Sequence, residues 1–472
     1  MLLYNSLTKR KEEFIPLQKG KVTMYNCGPT VYGQPSIGNY RSFLVADLLK
    51  RYLQYQGYQV NQVMNITDVG HLENDSDTGE DKLEKKARQE KKEPLEIARL
   101  YEESFHRDIK KLNIIPAEVY PRATEHIQDM IDLVQLLLDK GIAYEAGGSI
   151  YFDLTRFPEY GKLSGNTLED LIAGKRVEIK KEKRNPFDFA LWIHNPDHLM
   201  QWEAPWGKGY PGWHLECSVM SIKYLGETID IHTGGEDNKF PHHECEIAQS
   251  EAATGKQFVR FWLHIKHLLV NGGKMSKSLG NTYTIADIEA KGFSLRALRY
   301  FLISGHYRQN LNFTFDALEA AEKALAKIQN FLELIRKSDN QHADLNELIE
   351  QAKEKFRDSL GDDLNISGAL AAVFDFMRKI NTLISDGKIS RKNSEEIITL
   401  MRKFDSILAV MDFTEERETK GVETELIQLL LSYRSEFKAS KNWQMADRIR
   451  DDLKKMGIHL KDTPDGTIWS IE

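Results

Sequence analysis

Cysteine is scarce in this chain: Cys27, Cys217 and Cys245 are the only three among 472 residues. Three scattered thiols make no disulfide framework, which excludes the small secreted scaffolds and points to a reducing, cytoplasmic setting. They remain free for metal binding or catalysis. No run approaches the ~20 consecutive apolar residues that span a bilayer, so no membrane segment is expected. The opening MLLYNSLTKRKEEF lacks the basic, apolar, small-residue order of a signal peptide. A positive balance is missing as well. The net charge of −7 excludes a wholly basic nucleic-acid coat, so a polyanion partner needs locally gathered basic groups. There is no internal repeat and no low-complexity tract.

What is present is the composition of a globular protein, with 41% hydrophobic and 29% charged residues, and a length suited to two to four domains. KVTMYN (21–26) and QVNQVMNI (59–66) read as short buried strands. Between them Phe43, Ala46, Leu49, Tyr52 and Leu53 recur at helical spacing. Strand, helix, strand suggests a βαβ unit of a parallel sheet. The pattern returns with ETIDIHTGG (227–235), a helix over 241–255 and FVRFWLHI (258–265). The stretch between the two halves is expected to hold helices at 81–112 and 124–146 and short strands at GSIYFDL and KRVEIKK.

The fold class is therefore α/β: a split, Rossmann-like parallel-sheet domain interrupted by an α+β insertion. The expected boundaries are 1–118 and 205–266 for the two halves, 119–204 for the insertion and 267–312 for a following loop region. An α-helical bundle is expected over 313–411, with Leu318, Leu325, Ile328, Leu332 and Ile335 on one helical face. The charged stretch 412–422 reads as a linker to a small C-terminal domain, 423–472.

Ligands of open parallel sheets bind beyond the carboxyl ends of the strands. Three strand ends carry suggestive loops: Cys27-Gly28-Pro29, Asn65-Ile66-Thr67-Asp68 and His232-Thr233-Gly234-Gly235-Glu236-Asp237. The first feeds a helix opening on Ser36-Ile37-Gly38-Asn39, and helix N-termini attract phosphates. Cys27 is also one member of a metal constellation with Cys217 in GWHLECS and with His242 and Glu246 in PHHECE. Pro241 suits a first helical turn, which puts His242 and Glu246 on one face at i and i+4. Two cysteines, a histidine and a carboxylate make a reasonable zinc set. Spacing alone leaves the choice open. A His/Glu pair of this kind is common on solvent-facing helices, a lone buried cysteine is often a small hydrophobe, and Cys245 is an alternative ligand. The second constellation is NGGKMSKSLGN (271–281), where Lys274, Ser276, Lys277 and Ser278 stand in a glycine-rich loop as phosphate partners.

KMSKS, a tetrapeptide of HIGH type before a helix, and the split sheet domain together resemble a class I aminoacyl-tRNA synthetase. The strings CGPTVY, NITDVGHL, FDFALW, GWHLEC, FPHHECE, KMSKSLGN and DDLNISGAL resemble the cysteinyl-tRNA synthetase family over essentially the whole chain. The resemblance implies ATP-dependent activation of L-cysteine to cysteinyl-adenylate and transfer to the terminal adenosine of tRNA(Cys). It implies Zn2+ on Cys27, Cys217, His242 and Glu246, binding the substrate sulfur, and Mg2+ with the ATP. Thr67, Trp213 and His232 match positions around the amino acid, and Cys27 adjoins it. Gly234 and Asp237 match the nucleotide side, and Lys274 and Lys277 the mobile loop. A monomer is implied, and the C-terminal domain becomes an anticodon-binding one.

Ser36 and Asn39 depart from the family's usual histidines. Gly38 is retained. Neither substitute can carry a positive charge, and Ser36 can equally serve as a plain helix cap. Two other functions fit parts of the pattern: a ligase joining cysteine to an amino-sugar thiol precursor, and a non-catalytic zinc- or tRNA-binding paralogue. Local basic groups for RNA are expected in KRVEIKKEKR (175–184), in Arg434, Lys438 and Lys441, and in RIRDDLKK (448–455). Trp443 and Trp469 suit either base stacking or a core.

Overall fold

The computed structural model describes residues 1–72, 79–166, 182–275, 280–414, 419–440, 442–463 and 466–471. Four parallel strands form the central sheet: β1 (Lys21–Asn26), β2 (Gln59–Met64), β3 (Ile229–Gly235) and β4 (Val259–Ile265), in the order β4-β3-β1-β2. Both faces of β3 are covered, so IDIHTG is buried without alternation, as parallel strands require. Helix α1 (Ile37–Tyr55) joins β1 to β2. Helix α2 (Leu215–Leu225) leads into β3, and helix α3 (His242–Thr254) joins β3 to β4. The chain thus winds outward in opposite directions from the β1/β3 pair. That pair is the switch point, and the crevice opens past its carboxyl ends. Its register aligns Tyr25 with His232 and Asn26 with Thr233. Asp230 fastens the pair from below, accepting hydrogen bonds from Thr23 N and Thr23 Oγ1, both at 2.9 Å.

The insertion carries an antiparallel sheet of Ala143–Ala146, Ser149–Phe152, Phe189–Ile193 and Tyr210–Pro211. The expected KRVEIKK strand lies outside the described residues. Two expected helices are shorter than the sequence suggested. The stretch 81–112 divides into Lys82–Glu90 and Pro94–Lys111, because Lys91 turns left-handed (φ 54°) and Pro94 starts a new helix. The second ends at Asp139, where Gly141 (φ 67°) turns the chain into the Ala143 strand.

Beyond residue 311 come helices Phe315–Lys337, Asn346–Gly361, Ile366–Ser385 and Arg391–Leu408. Leu318, Ile328, Leu332 and Ile335 are buried as expected, and Leu325 is half-buried. Asp363 pins this bundle to the sheet domain. Its carboxylate accepts from Tyr4 N (2.8 Å), Tyr307 Oη (2.6 Å) and Arg308 Nε (2.7 Å). Asp363 and Leu364 both adopt left-handed backbone (φ 58° and 54°), a strained pair that such anchoring sustains.

The described residues form two compact units, Met1–Met411 and Asp412–Glu472. The second contains helices Thr419–Ala439 and Trp443–Lys455 and an antiparallel hairpin, Ile458–Thr463 with Gly466–Ile471. Arg448, Lys454 and Lys455 are exposed there, and Trp443 is 58% exposed rather than a core residue. Arg434 differs from the expectation of a phosphate-facing cation: it is buried, with Nη1 3.2 Å from Thr467 Oγ1. Lys441 and residues 175–181 lie outside the described set.

Candidate active site

A cavity of about 430 Å³ fills the switch-point crevice. Cys27, Thr67, Trp213 and Cys217 line one end, and Ser36, Asn39, Asp237 and Lys274 the other. Its floor is fastened by backbone. Cys27 N donates to Thr233 O at 3.2 Å, Thr67 N to Pro29 O at 3.1 Å and Val31 N to Thr67 O at 3.1 Å. Gly28 permits this approach, because a Cβ there would stand 1.7 Å from Asn65 O.

At the inner end Cys27, Cys217, His242 and Glu246 bring one ligand atom each within 4.8 Å of the others. Cys27 comes from the loop after β1, Cys217 from the first turn of α2, and His242 and Glu246 from successive turns of α3. A second grouping, Cys27, His232, His243 and Glu246, meets the same limit and shares two members. The donor chemistry of the first suits a borderline-soft dication, with two sulfurs, one imidazole and one carboxylate. His242 Nδ1 lies 2.9 Å from His214 Nδ1, which leaves Nε2 for the cluster. Glu246 Oε2 is held by His232 Nε2 at 2.8 Å. Its Oε1 is buried and accepts no hydrogen bond among the described residues, although His242 Nε2 is 3.0 Å away. An unsatisfied oxygen beside an imidazole nitrogen and two thiols fits a metal, and the partners behind His242 and Glu246 orient them for it.

The protonation balance of the cluster sets burial against the charges of its neighbours. Burial alone would raise the Glu246 carboxyl, but His232 and His242 outweigh it and hold it at about 2. Burial alone would lower His242, yet Glu246 and Cys217 push it up to about 10. The Cys217 thiol is pushed well up by its hydrogen bond with Cys27, by burial and by Glu246. Contact with Cys217 lowers the Cys27 thiol, but burial and Glu246 prevail and leave it raised. A bound dication opposes the raised values of His242, Cys217 and Cys27, reinforces the low value of Glu246 and displaces the protons, so metal uptake rises with pH.

The structure sorts the other sequence-predicted residues. Thr67 and Trp213 line the cavity. His232 is fully buried behind Glu246, outside the lining. Gly234 also lies behind the wall, where a Cβ would strike the His243 ring at 2.6 Å. Cys245 belongs to neither cluster; its Sγ lies 3.5 Å from Tyr160 Oη. Ser36 caps α1 and closes a reciprocal box with Asn39: Ser36 N donates to Asn39 Oδ1 at 2.9 Å, and Ser36 Oγ donates to the same atom at 2.8 Å. Both line the cavity, but their oxygens are spent on each other. Gly38 faces the loop, with Met275 Sδ 3.7 Å from where its Cβ would be. Lys274 Nζ stands 3.6 Å from Asp237 Oδ1. Ser276, Lys277 and Ser278 lie outside the described residues.

Several histidines at the site were not singled out from sequence, among them His243, His71 and His267. His243 Nε2 lies 3.1 Å from Cys27 Sγ, and its Nδ1 lies 2.8 Å from His264 Nε2. His71 stacks on Trp213 with ring centres 4.4 Å apart. His267 lines the outer cavity just past β4. The strand-end rule, applied to the fourth strand as to the other three, finds it.

Comparison with known proteins agrees with this geometry. Residues 13–323 match the family model described as tRNA synthetases class I (C) catalytic domain, and residues 355–412 match the DALR domain. The chain is 44% identical over 480 residues to a cysteine–tRNA ligase of Thermococcus onnurineus, covering 99% of this chain and 98% of that one. It is 42% identical to that of Thermus thermophilus, covering 100% and 99%. Among solved structures, methionyl-tRNA synthetase of Mycobacterium tuberculosis with methionyl-adenylate superimposes with a TM-score of 0.59 at 14% identity, covering 83% of this chain and 88% of that one. The LeuRS of Agrobacterium radiobacter K84, in a ternary complex with tRNA and LeuAMS, gives 0.60 at 12% identity, covering 86% and 88%. These two share the fold. The full-length similarity goes further: the chain belongs to the cysteine–tRNA ligase family of class I tRNA synthetases.

Proposed function

We propose that this cavity activates L-cysteine with ATP and that the product is passed to tRNA(Cys). The observation that carries the reading is the joining, in one cavity, of a two-cysteine metal cluster to a helix N-terminus facing a lysine loop. Cys27, Cys217, His242 and Glu246 are the residues that would hold Zn2+. When bound, zinc supplies a soft Lewis acid that takes a thiolate. A serine hydroxyl offers no comparable soft anion at neutral pH, so the competitor lacks the discriminating bond. Thr67 and the Trp213 ring flank the amino acid and fix its orientation. His232 positions Glu246 from behind.

In the first step a carboxylate oxygen of cysteine attacks the α-phosphorus of ATP. The bond to the bridging oxygen of the β-phosphate breaks and pyrophosphate leaves. The protein's part is alignment and charge stabilisation. The first turn of α1 offers backbone N–H groups to the phosphates at Gly38 and its neighbours. Asn39 keeps its amide N–H donors, because the box consumes only its oxygen. Lys274 and Lys277 neutralise charge on the triphosphate, and Asp237 steadies Lys274 beforehand. Mg2+ accompanies the nucleotide. In the second step a ribose hydroxyl of the terminal adenosine attacks the acyl carbon and AMP leaves. The DALR match and the helical bundle favour a tRNA acceptor over an amino-sugar thiol precursor. A monomer in the cytoplasm is the setting this reading assigns.

Cysteine-dependent ATP–pyrophosphate exchange tests it, with serine as control and zinc content measured on the same sample. Exchange with cysteine alone is expected. A folded, zinc-loaded protein with no exchange would overturn the reading in favour of a non-catalytic paralogue.

A further inference from the structure

The tetrapeptide at the outer cavity carries no imidazole, although Lys266, paired with Glu236, and Lys274 both line the wall. Ser36 and Asn39 supply no cation, and their side-chain oxygens are bonded to each other. Among the described residues, the lysine loop offers Lys274 alone. A second basic ring stands in the same wall. His267 lines the cavity together with Ser36, Asn39, Asp237 and Lys274, and its side chain is 31% exposed.

We propose that His267 supplies the imidazole missing from the tetrapeptide, donating a hydrogen bond to the triphosphate of ATP. This rests on the adenylate-forming reading given above. Two carboxylates flank the ring. Nδ1 is 3.5 Å from Asp237 Oδ2, and Nε2 is 3.7 Å from Glu236 Oε2. Both distances exceed hydrogen-bond length, so the acids attract the ring without consuming its donors. Asp237 also faces Lys274 through its other oxygen, at 3.6 Å. One carboxylate thus stands between the ring and the Lys274 ammonium. An incoming triphosphate carries more charge and competes for both.

The backbone of His267 is fixed to the helix that bears the tetrapeptide. Arg41, in the second turn of α1, is 1% exposed. Its Nη1 donates to His267 O at 2.8 Å and also to Lys266 O. Its Nη2 donates to Gln309 O at 2.7 Å and to His306 O at 3.3 Å. Four carbonyls on one buried guanidinium make a stiff mount. Leu311 N donates to His267 O as well, at 3.1 Å. The backbone that carries the ring therefore keeps its place relative to Ser36 and Asn39.

The test begins with wild-type exchange, whose absence would defeat the functional reading and not this assignment. With exchange established, His267→Ala, His267→Gln and the double variant Ser36→His/His267→Ala are compared. His267 is partly exposed and far from the metal ligands in sequence, and zinc content and melting temperature check each fold. Loss of one charge-assisted bond predicts a fall of ~10- to 100-fold in kcat/KM for ATP. KM for cysteine should stay within twofold, and Ser36→His should restore part of the loss. No loss, a loss shared equally by ATP and cysteine, or a double variant no better than His267→Ala would overturn the assignment.

Discussion

Replacing Gly28 by alanine should abolish zinc binding at the proposed Cys27 site while destabilising the protein. The added Cβ would stand 1.7 Å from Asn65 O, against the 3.0 Å that real Cβ contacts respect. The loop after β1 must therefore back away from the end of β2 by more than about 1 Å. Three hydrogen bonds hold that seam, Gly28 N to Asn65 Oδ1 at 2.8 Å, Thr67 N to Pro29 O and Val31 N to Thr67 O, and a fourth, Cys27 N to Thr233 O, ties the same loop to β3. If two to four are lost at ~1 kcal/mol each, the variant is less stable by ~2–4 kcal/mol. That is a large share of the ~5–15 kcal/mol typical of a folded domain. Cys27 moves with the loop, and tetrahedral zinc tolerates only a few tenths of an ångström in ligand distance. Urea unfolding gives the first quantity, and zinc titration against a competing chelator gives the second. An alanine variant that unfolds within ~0.5 kcal/mol of wild type and still binds zinc stoichiometrically would refute the reasoning.

Two further predictions concern groups away from the chemistry. His198 is buried, with Nε2 3.5 Å from Asp81 Oδ2 and Nδ1 3.0 Å from Glu84 Oε1, under the ring of Tyr210. Burial alone would lower it, but the two acids push it up to about 9 from 6.5. A raised folded value means that the stabilisation is complete below 6.5 and fades as pH rises toward 9, so the melting temperature should fall across that window. His198→Gln should melt lower at the acid end and show a flatter profile; an unchanged slope would refute the assignment. Cys245→Ala should leave zinc stoichiometry unchanged, because that sulfur faces Tyr160 rather than the cluster; lost zinc would show otherwise.

Much of this site could be read from the sequence because its parts are local. Strand-end loops, the i and i+4 pair on α3 and the glycine-flanked lysines each sit within a short string. The switch-point rule then says where they meet. What escaped depends on tertiary register. His243 is next to His242 in sequence but on another face of α3, and it reaches Cys27 only because β1 and β3 are neighbours. Arg434 looked like a phosphate ligand because charge suggests exposure, yet the guanidinium is buried beside Thr467. The helix break at Lys91 was foreshadowed by Pro94 and obscured by the polar, helix-favouring residues around it. Ser36 and Asn39 carried a cap signature that the family pattern overshadowed; the two bond each other because they stand at the cap and third positions of α1.

The residues proposed to hold zinc come from opposite ends of the interrupted sheet domain, and this sets an order of events during synthesis. Cys27 leaves the ribosome early, while Glu246 follows after the whole insertion. At ~5–20 residues per second the delay is roughly 10–40 s. Until Cys217 emerges, late in that interval, a nascent chain presents one thiol and no chelate. On that proposal the ion can enter only once both halves have emerged and paired, and its binding energy then falls on the closure of β1 against β3. Metal supply in the growing cell should therefore govern how much of the newly made chain reaches its native state, with little effect on molecules already folded and loaded.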